Sequence, residues 1–124
     1  EKRRIDGNTG ETELLNIIGD VKGRTAVMMD DEVDTGGSMT NAARALMEAG
    51  ALGIYAACTH ALLSGNAVAR FAESSIQELV CTDTIPIPPE KRNGQVQVIS
   101  IAPLLGEAIH RIHHGLSVGE MFDS

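Results

Sequence analysis

A short apolar run that leads directly into an acidic, glycine-containing turn constrains the fold more than any other feature of the chain. Residues 26–29 are apolar, four acidic residues fall within the next five positions, and TGGS follows at residues 35–38. Over residues 38–49 the apolar side chains recur with the i, i+3, i+4, i+7 spacing of an amphipathic helix, and Gly50 stands where a helix would end. The order predicts a strand, a turn and a helix.

Further segments repeat this pattern along the chain. Strands are predicted at residues 53–58, 78–81 and 95–101, and helices at residues 66–72 and 103–114. Pro103 suits a first helical turn, where its missing N–H would have no partner. Strands that alternate with helices indicate an α/β fold, a mainly parallel sheet flanked by helices. In such sheets ligands bind beyond the carboxyl ends of the strands.

The amino-terminal part is less regular. Residues 1–10 are polar and contain glycine, which predicts a mobile segment. Residues 13–19, ELLNIIG, are mainly apolar and are separated from the run at residues 25–29 by turn residues, so a hairpin fits best, and a short helix over residues 13–19 is the alternative.

Composition limits the classes of function. A chain of 124 residues with 43% apolar side chains can build one core, and a net charge of −7 argues against nucleic-acid or anionic-membrane partners. No apolar run approaches the roughly 18 residues of a membrane span, so a cytoplasmic protein is expected. Cys58 and Cys81 each close an apolar run without a CxxC partner, and they are predicted to be reduced core thiols. No histidine shows zinc-ligand spacing alongside them, so no metal ligand is assigned.

The turn has the chemistry of a sugar-phosphate site. The two glycines let backbone N–H groups approach an anion, the hydroxyls of Thr35 and Ser38 add donors, and the start of a helix adds unpaired N–H groups. A β-branched side chain at Gly36 is expected to fill the anion site and to disfavour the backbone conformation that the turn needs. The acidic residues would repel a phosphate, so we expect them to accept hydrogen bonds from sugar hydroxyls instead. The alternative is a solvated acidic turn before an ordinary helix cap. The phosphate-binding patterns GxxxxGK[ST] and GxGxxG are absent.

The turn also resembles a known signature. DDEVDTGGS, residues 30–38, is similar to the motif shared by type I phosphoribosyltransferases and ribose-phosphate pyrophosphokinases. The surrounding sequence resembles the pyrophosphokinases over almost the whole chain. The similar segments are KRR at 2–4, NIIGDVKGR at 16–24, YAACTHALLSG at 55–65, CTDTIP at 81–86 and LLGEAIHRIHHGLSVGEMF at 104–122.

The resemblance implies an activity. The family transfers the β,γ-pyrophosphoryl group of ATP to the C1 hydroxyl of ribose 5-phosphate, with Mg²⁺ as cofactor, and yields phosphoribosyl pyrophosphate and AMP. Residues 1–10 would then be the remnant of a mobile catalytic loop. Residues 11–124 would form a partial type I phosphoribosyltransferase-like domain, the carboxyl-terminal part of a longer two-domain enzyme. The fragment alone is expected to be inactive, and the full-length enzyme to be a homo-oligomer.

The resemblance also implies roles for individual residues. Lys2 and Arg4 match a Lys-x-Arg pair, which predicts that Lys2 stabilises the transferring group and that Arg4 contacts phosphate or substrate. The residues expected to bind ribose 5-phosphate, besides Arg4, are Asp30 and Asp31 on the ribose hydroxyls and Asp34, Thr35, Gly36, Gly37 and Ser38 at the 5-phosphate.

The resemblance does not settle the roles of one residue and one segment. His60 is expected in a loop after a strand, where a structural histidine is the favoured interpretation. Residues 115–122 resemble a regulatory segment between subunits, although Gly119 stands where many members carry serine. A non-catalytic regulatory subunit and a phosphoribosyltransferase are the alternative functions.

Overall fold

The computed structural model of the chain describes residues 2–3, 14–15 and 19–123. Two short 3-10 helices, Pro89–Lys91 and Gly119–Phe122, accompany the main elements. The strands are β1 Lys2–Arg3, β2 Leu14–Leu15, β3 Thr25–Val33, β4 Gly53–Ala61, β5 Ile76–Thr82 and β6 Val96–Ile99, and the helices are α1 Gly37–Glu48, α2 Ala67–Glu73 and α3 Ala102–His113.

Four parallel strands form the central sheet, in the order β3-β4-β5-β6. Helix α1 connects β3 to β4, and helix α2 connects β4 to β5. From β3 onward the order of elements is strand, helix, strand, helix, strand, strand, helix. The predicted α/β class and this order are confirmed.

Two predictions at the start of the sheet were wrong. β2 pairs with β1 in an antiparallel ladder, whereas β3 pairs with β4, so the described residues Leu14–Leu15 do not pair with residues 25–29 as the predicted hairpin requires. The strand was also expected to end at Met29, but β3 continues through the acidic residues to Val33. The ladder extends because β4 supplies backbone partners, with Asp30 opposite Cys58 and Val33 opposite Ala61. The mobile segment predicted for residues 1–10 lies, apart from Lys2–Arg3, outside the described residues.

One face of the sheet is covered by helices α1 and α2. Met39 from α1 and Phe71 from α2 pack with strand residues such as Ile54 and Leu79 in one apolar core. The Gln95 side-chain amide donates to the carbonyls of Phe71 and Ile76, both at 2.7 Å, and so joins α2 to β5.

The two cysteines also belong to this core. Cys58 and Cys81 are buried and unbridged, which confirms the prediction of reduced core thiols. Burial, with Cys81 and Asp30 nearby, raises the pKa of Cys58 to about 11. The thiol therefore stays protonated at neutral pH, and it is a packing group rather than a nucleophile.

The last helix differs from the other two. Helix α3 starts one residue before the prediction, with Pro103 in its first turn as expected, but none of its residues is buried. Ile101 at its start donates its N–H to the Asp83 carboxylate at 2.8 Å, which lowers the pKa of Asp83. Among the described residues, no helix has the length and apolarity needed to cross a membrane.

Candidate functional site

The acidic residues lie at the carboxyl end of β3. Asp30 is half-buried, and its carboxylate accepts the Asp31 N–H at 2.8 Å. Asp31 and Glu32 are exposed, and Glu32 stands opposite His60 in the ladder. Because all four strands are parallel, this end of β3 shares an edge with the ends of β4, β5 and β6. The carboxylates therefore sit at the sheet edge where ligands bind in this class of fold.

A turn, residues 34–38, follows β3 and leads into α1; we call it the glycine turn. Its backbone is held from one side by the residues that follow β4, residues 62–71, which we call the supporting segment. Three consecutive carbonyls accept hydrogen bonds from this segment: Val33 from the Leu62 N–H at 2.9 Å, Asp34 from the Ser64 N–H at 2.9 Å, and Thr35 from Arg70 Nη1 at 3.4 Å.

These three hydrogen bonds determine the direction of the backbone N–H groups of the residues that follow the three carbonyls. In a trans peptide the C=O and the next residue's N–H point in opposite directions, and the described backbone has no cis peptide bond. The N–H groups of Asp34, Thr35 and Gly36 therefore point away from the supporting segment. Among the described residues, none accepts a hydrogen bond from the N–H of Thr35, Gly36 or Gly37. The N–H groups of Thr35, Gly36 and Gly37 are thus available donors, and those of Thr35 and Gly36 lie on the side of the turn away from the supporting segment.

Of the two reasons expected for Gly36, the backbone conformation is confirmed and the filling of the anion site is not. Its φ is +81°, in the left-handed region, and an added Cβ would lie 2.8 Å from Phe71 Cε2. The side chain would collide with α2, on the side opposite the N–H groups, so it would not fill the anion site as we expected. Gly37 has no such φ, and a Cβ there would lie 3.2 Å from Arg70 Nη1. Only one of the two glycines uses a conformation that other residues rarely adopt.

The start of α1 adds donors to the same turn. The Gly36 carbonyl accepts the Thr40 N–H at 3.0 Å and the Thr40 hydroxyl at 2.8 Å, which fixes where the helix begins. No side chain caps this end, and its first turn contains no acidic residue. Thr35 and Ser38 are exposed beside it. The helix start therefore presents free N–H groups and a partial positive charge, which favour an anion.

A group of threonines orients His60 at the neighbouring strand end. His60 lies in β4 rather than in the predicted loop, and its Nδ1 is 2.8 Å from Thr84 Oγ1. The Thr84 and Thr82 hydroxyls both donate to the Thr59 carbonyl, at 3.2 and 2.7 Å. These bonds tie β4 to the segment after β5, which supports the structural interpretation of the histidine.

The remaining predicted residues are placed less fully. The backbone of Lys2 lies in β1, and Arg4 lies outside the described residues. In the described part of the chain, no group of three or more His, Cys, Asp or Glu side chains is arranged to hold a metal ion. Mg²⁺ is commonly bound by one or two carboxylates together with substrate phosphates, so a Mg²⁺ that enters with a nucleotide does not require such a group.

Sequence reasoning did not find the supporting segment. Arg70 and Thr35 are 35 residues apart, and no local pattern connects them. The relevant signal is the topology: in a parallel sheet, the end of β4 and the turn after β3 reach the same edge.

The fold and the turn define an α/β domain with a turn of unpartnered backbone N–H groups, among the described residues, at the carboxyl edge of its sheet. Comparison with known proteins identifies the family. Residues 8–123 match the model of the phosphoribosyl synthetase-associated domain, and the chain belongs to this family.

Curated relatives and a solved structure agree with this assignment. A ribose-phosphate pyrophosphokinase of Caldanaerobacter subterraneus subsp. tengcongensis is 52% identical over 122 residues, which cover 98% of this chain and 38% of the relative. The Oceanobacillus iheyensis ribose-phosphate pyrophosphokinase is 50% identical over 123 residues, 99% of this chain and 38% of the relative. The crystal structure of phosphoribosylpyrophosphate synthetase from Mycobacterium smegmatis matches with a TM-score of 0.77 and 43% identity, over 79% of this chain and 33% of that one. The chain thus spans about two fifths of the length of these curated relatives.

Proposed function

We propose that the glycine turn binds the 5-phosphate of ribose 5-phosphate, and that the chain is part of a ribose-phosphate pyrophosphokinase. The observation that carries the proposal is the set of N–H groups of Thr35, Gly36 and Gly37, which have no partner among the described residues and lie beside the start of α1. A phosphate is an acceptor-rich anion of the size that such a turn holds. The names of the relatives support the choice of sugar phosphate.

The acidic residues fit the sugar rather than the phosphate. A carboxylate at roughly 6 Å from a phosphate charge would cost about 3 kcal/mol at an effective dielectric of 20. Asp30 and Asp31 precede the glycine turn by a few residues at the end of β3, so a ribose bound at the turn would extend toward them. Their oxygens would accept hydrogen bonds from the sugar hydroxyls, and this gain would offset the repulsion.

In the proposed reaction the C1 hydroxyl of ribose 5-phosphate attacks the β-phosphorus of ATP. An O–P bond forms, the bond between the β-phosphorus and the oxygen bridging to the α-phosphate breaks, AMP leaves, and the hydroxyl proton is released. Such chemistry depends on positioning and charge neutralisation. The role of the described residues is to hold the ribose and its phosphate in place. Mg²⁺ would supply charge neutralisation on ATP.

The amino-terminal basic residues complete the proposal. Lys2 would stabilise the transferring group, and Arg4 would contact phosphate or substrate. Because the chain spans 38% of each of the two relatives, other parts of a longer protein would supply the contacts to ATP. We place such an enzyme in the cytoplasm as a homo-oligomer.

Calorimetric titration with ribose 5-phosphate tests the site. We expect binding by the chain, and about 10-fold weaker binding after Asp31→Asn, because a charged acceptor for a sugar hydroxyl is lost. Glu48→Gln, at the far end of α1, removes the same charge from an exposed position and serves as the control, with less than about 2-fold change. No measurable binding by the unmodified chain at millimolar ligand would contradict the proposal.

An activity assay separates the proposed enzyme from a regulatory subunit. A longer protein that contains this chain is mixed with ATP, Mg²⁺ and ribose 5-phosphate, and AMP is measured. We expect AMP to accumulate only when the sugar phosphate is present. Ribose 5-phosphate binding without AMP production would instead favour a non-catalytic subunit.

A further inference from the structure

We propose that Arg70, which lies outside the DDEVDTGGS signature, is a positioning residue for the glycine turn. It acts through the Thr35 carbonyl, and it sets the direction of the Gly36 N–H toward the bound phosphate. The inference rests on the proposed function, because it names a residue that the same phosphate site needs.

Two distances describe how closely the Arg70 guanidinium approaches the glycine turn. Arg70 Nη1 is 3.4 Å from the Thr35 carbonyl oxygen, and the same nitrogen would be 3.2 Å from a Cβ at Gly37. The guanidinium therefore lies against the back of the turn, opposite the open N–H groups. A side chain at Gly37 would compete with it for this space.

The backbone that carries Arg70 is well anchored. The Arg70 N–H donates to the Asn66 carbonyl at 2.9 Å within α2, and the next residue, Phe71, is 1% exposed in the core. The Phe71 carbonyl accepts hydrogen bonds from Gln95 and from the Ser74 hydroxyl, both at 2.7 Å. The guanidinium thus extends from a fixed helix, which is what a positioning residue requires.

Arg70 differs from the other supports of the turn in its chemistry. The carbonyls of Val33 and Asp34 accept backbone N–H groups from Leu62 and Ser64, which almost any residue could supply. The Thr35 carbonyl alone among the three is held by a side chain. Because the Thr35 carbonyl and the Gly36 N–H belong to one planar peptide, the Arg70 side chain controls the direction of that donor.

The positive charge of Arg70 would also favour phosphate binding at the turn. Arg70 forms no ion pair with any described residue. Its positive charge lies behind a turn that carries several acidic residues in a chain of net charge −7. This charge would reduce the local repulsion of an incoming phosphate.

Arg44 provides a matched control. A groove of about 460 Å³ separates α1 from α2, and both Arg44 and Arg70 line it together with Gly37. Both arginines are exposed, but Arg44 donates no hydrogen bond to the glycine turn. Arg44→Ala removes the same charge from the same groove without removing the contact with Thr35, so the comparison isolates the positioning effect from the charge.

The experiment combines calorimetry and NMR on the 124-residue chain. With ribose 5-phosphate as the probe, we expect Arg70→Ala to weaken binding about 5- to 10-fold, Arg70→Lys to restore part of the loss, and Arg44→Ala to change affinity less than about 2-fold. Unfolding midpoints of the three variants are expected to agree. If Arg70→Ala and Arg44→Ala bind equally well, the positioning role is wrong.

A second measurement does not depend on ligand binding. In the ligand-free chain, Arg70→Ala is expected to shift the amide resonances of Gly36 and Gly37, and Arg44→Ala is expected to leave the Gly36 resonance in place. Unchanged Gly36 and Gly37 amides in Arg70→Ala would overturn the inference even if ribose 5-phosphate binds. If the unmodified chain does not bind ribose 5-phosphate but the Gly36 amide shifts as expected, the proposed function fails while the role of Arg70 in ordering the turn is retained.

Discussion

The two faces of the central sheet are made by alternating residues of the same strands, yet their surroundings differ. On the face covered by α1 and α2, Ile54 and Leu79 are fully buried. On the other face, the exposed fractions of Val27, Met29 and Ile99 are 67%, 81% and 62%. Both faces are apolar, so side-chain type alone does not tell them apart.

The comparison of the two faces shows which one supplies the residues that hold the glycine turn in place. Phe71 lies under Gly36, and Arg70 holds Thr35, so both supports come from α2 on the covered face. Among the described residues, Val27, Met29 and Ile99 make no hydrogen bond to the glycine turn. Substitutions of buried residues on the covered face should therefore affect stability and the turn together, and substitutions on the other face should affect neither.

The largest effect is expected for Phe71→Ala. Removing a fully buried phenyl ring leaves a cavity in the core and removes the surface under Gly36, so we expect a loss of about 3 to 5 kcal/mol in the free energy of unfolding. Urea unfolding measures this loss. Ile99→Ala on the exposed face is the control, with a change within about 0.5 kcal/mol.

Two outcomes would contradict the expected difference in stability between the two faces of the sheet. Equal losses for the two variants, or a loss below about 1 kcal/mol for Phe71→Ala, would mean that α2 does not pack as described. If Phe71→Ala does not fold, Phe71→Leu keeps most of the volume and is expected to cost about 1 to 1.5 kcal/mol.

A smaller effect is expected for Gly36→Ala. A residue with a Cβ at positive φ costs about 1 to 2 kcal/mol, and the contact with Phe71 at 2.8 Å adds to this, so we expect about 2 to 3 kcal/mol in total. Gly65→Ala is a matched control, because its φ is +57° and an added Cβ would meet nothing within 4 Å. The difference in unfolding free energy between the two variants measures the contact with α2. Equal losses at both positions would show that Phe71 moves aside at no cost.

The elements that follow local periodicity were predictable. Helix α1 was predicted to within one residue at each end, because its apolar spacing and the glycine after it are local signals. The extension of β3 to Val33 was not predicted, because acidic side chains are uncommon in strands and the backbone hydrogen bonds that extend this strand come from β4, which is distant in sequence.

In the candidate site, the position of the turn between β3 and α1 could be predicted, whereas its sugar-phosphate chemistry stays a prediction. The glycines and the acidic residues indicated a sugar phosphate, but the direction of the Gly36 Cβ and the contact from Arg70 depend on how α2 packs. Such contacts join positions that are distant in sequence, and they become visible only when the strands and helices are assembled.

The smallest effects are expected for two adjacent methionines on opposite faces. Met28 is half-buried beside the core, and Met29 is exposed on the other face. Met28→Gln places an amide among apolar groups and is expected to cost about 1 to 2 kcal/mol, whereas Met29→Gln should change the unfolding free energy by less than about 0.5 kcal/mol. The free energy of unfolding of both variants is measured at several protein concentrations, so that association between copies of the chain would be detected. A loss above about 1 kcal/mol for Met29→Gln that grows with concentration would mean that copies of the chain cover this face in solution, because exposed apolar surface then becomes buried by association.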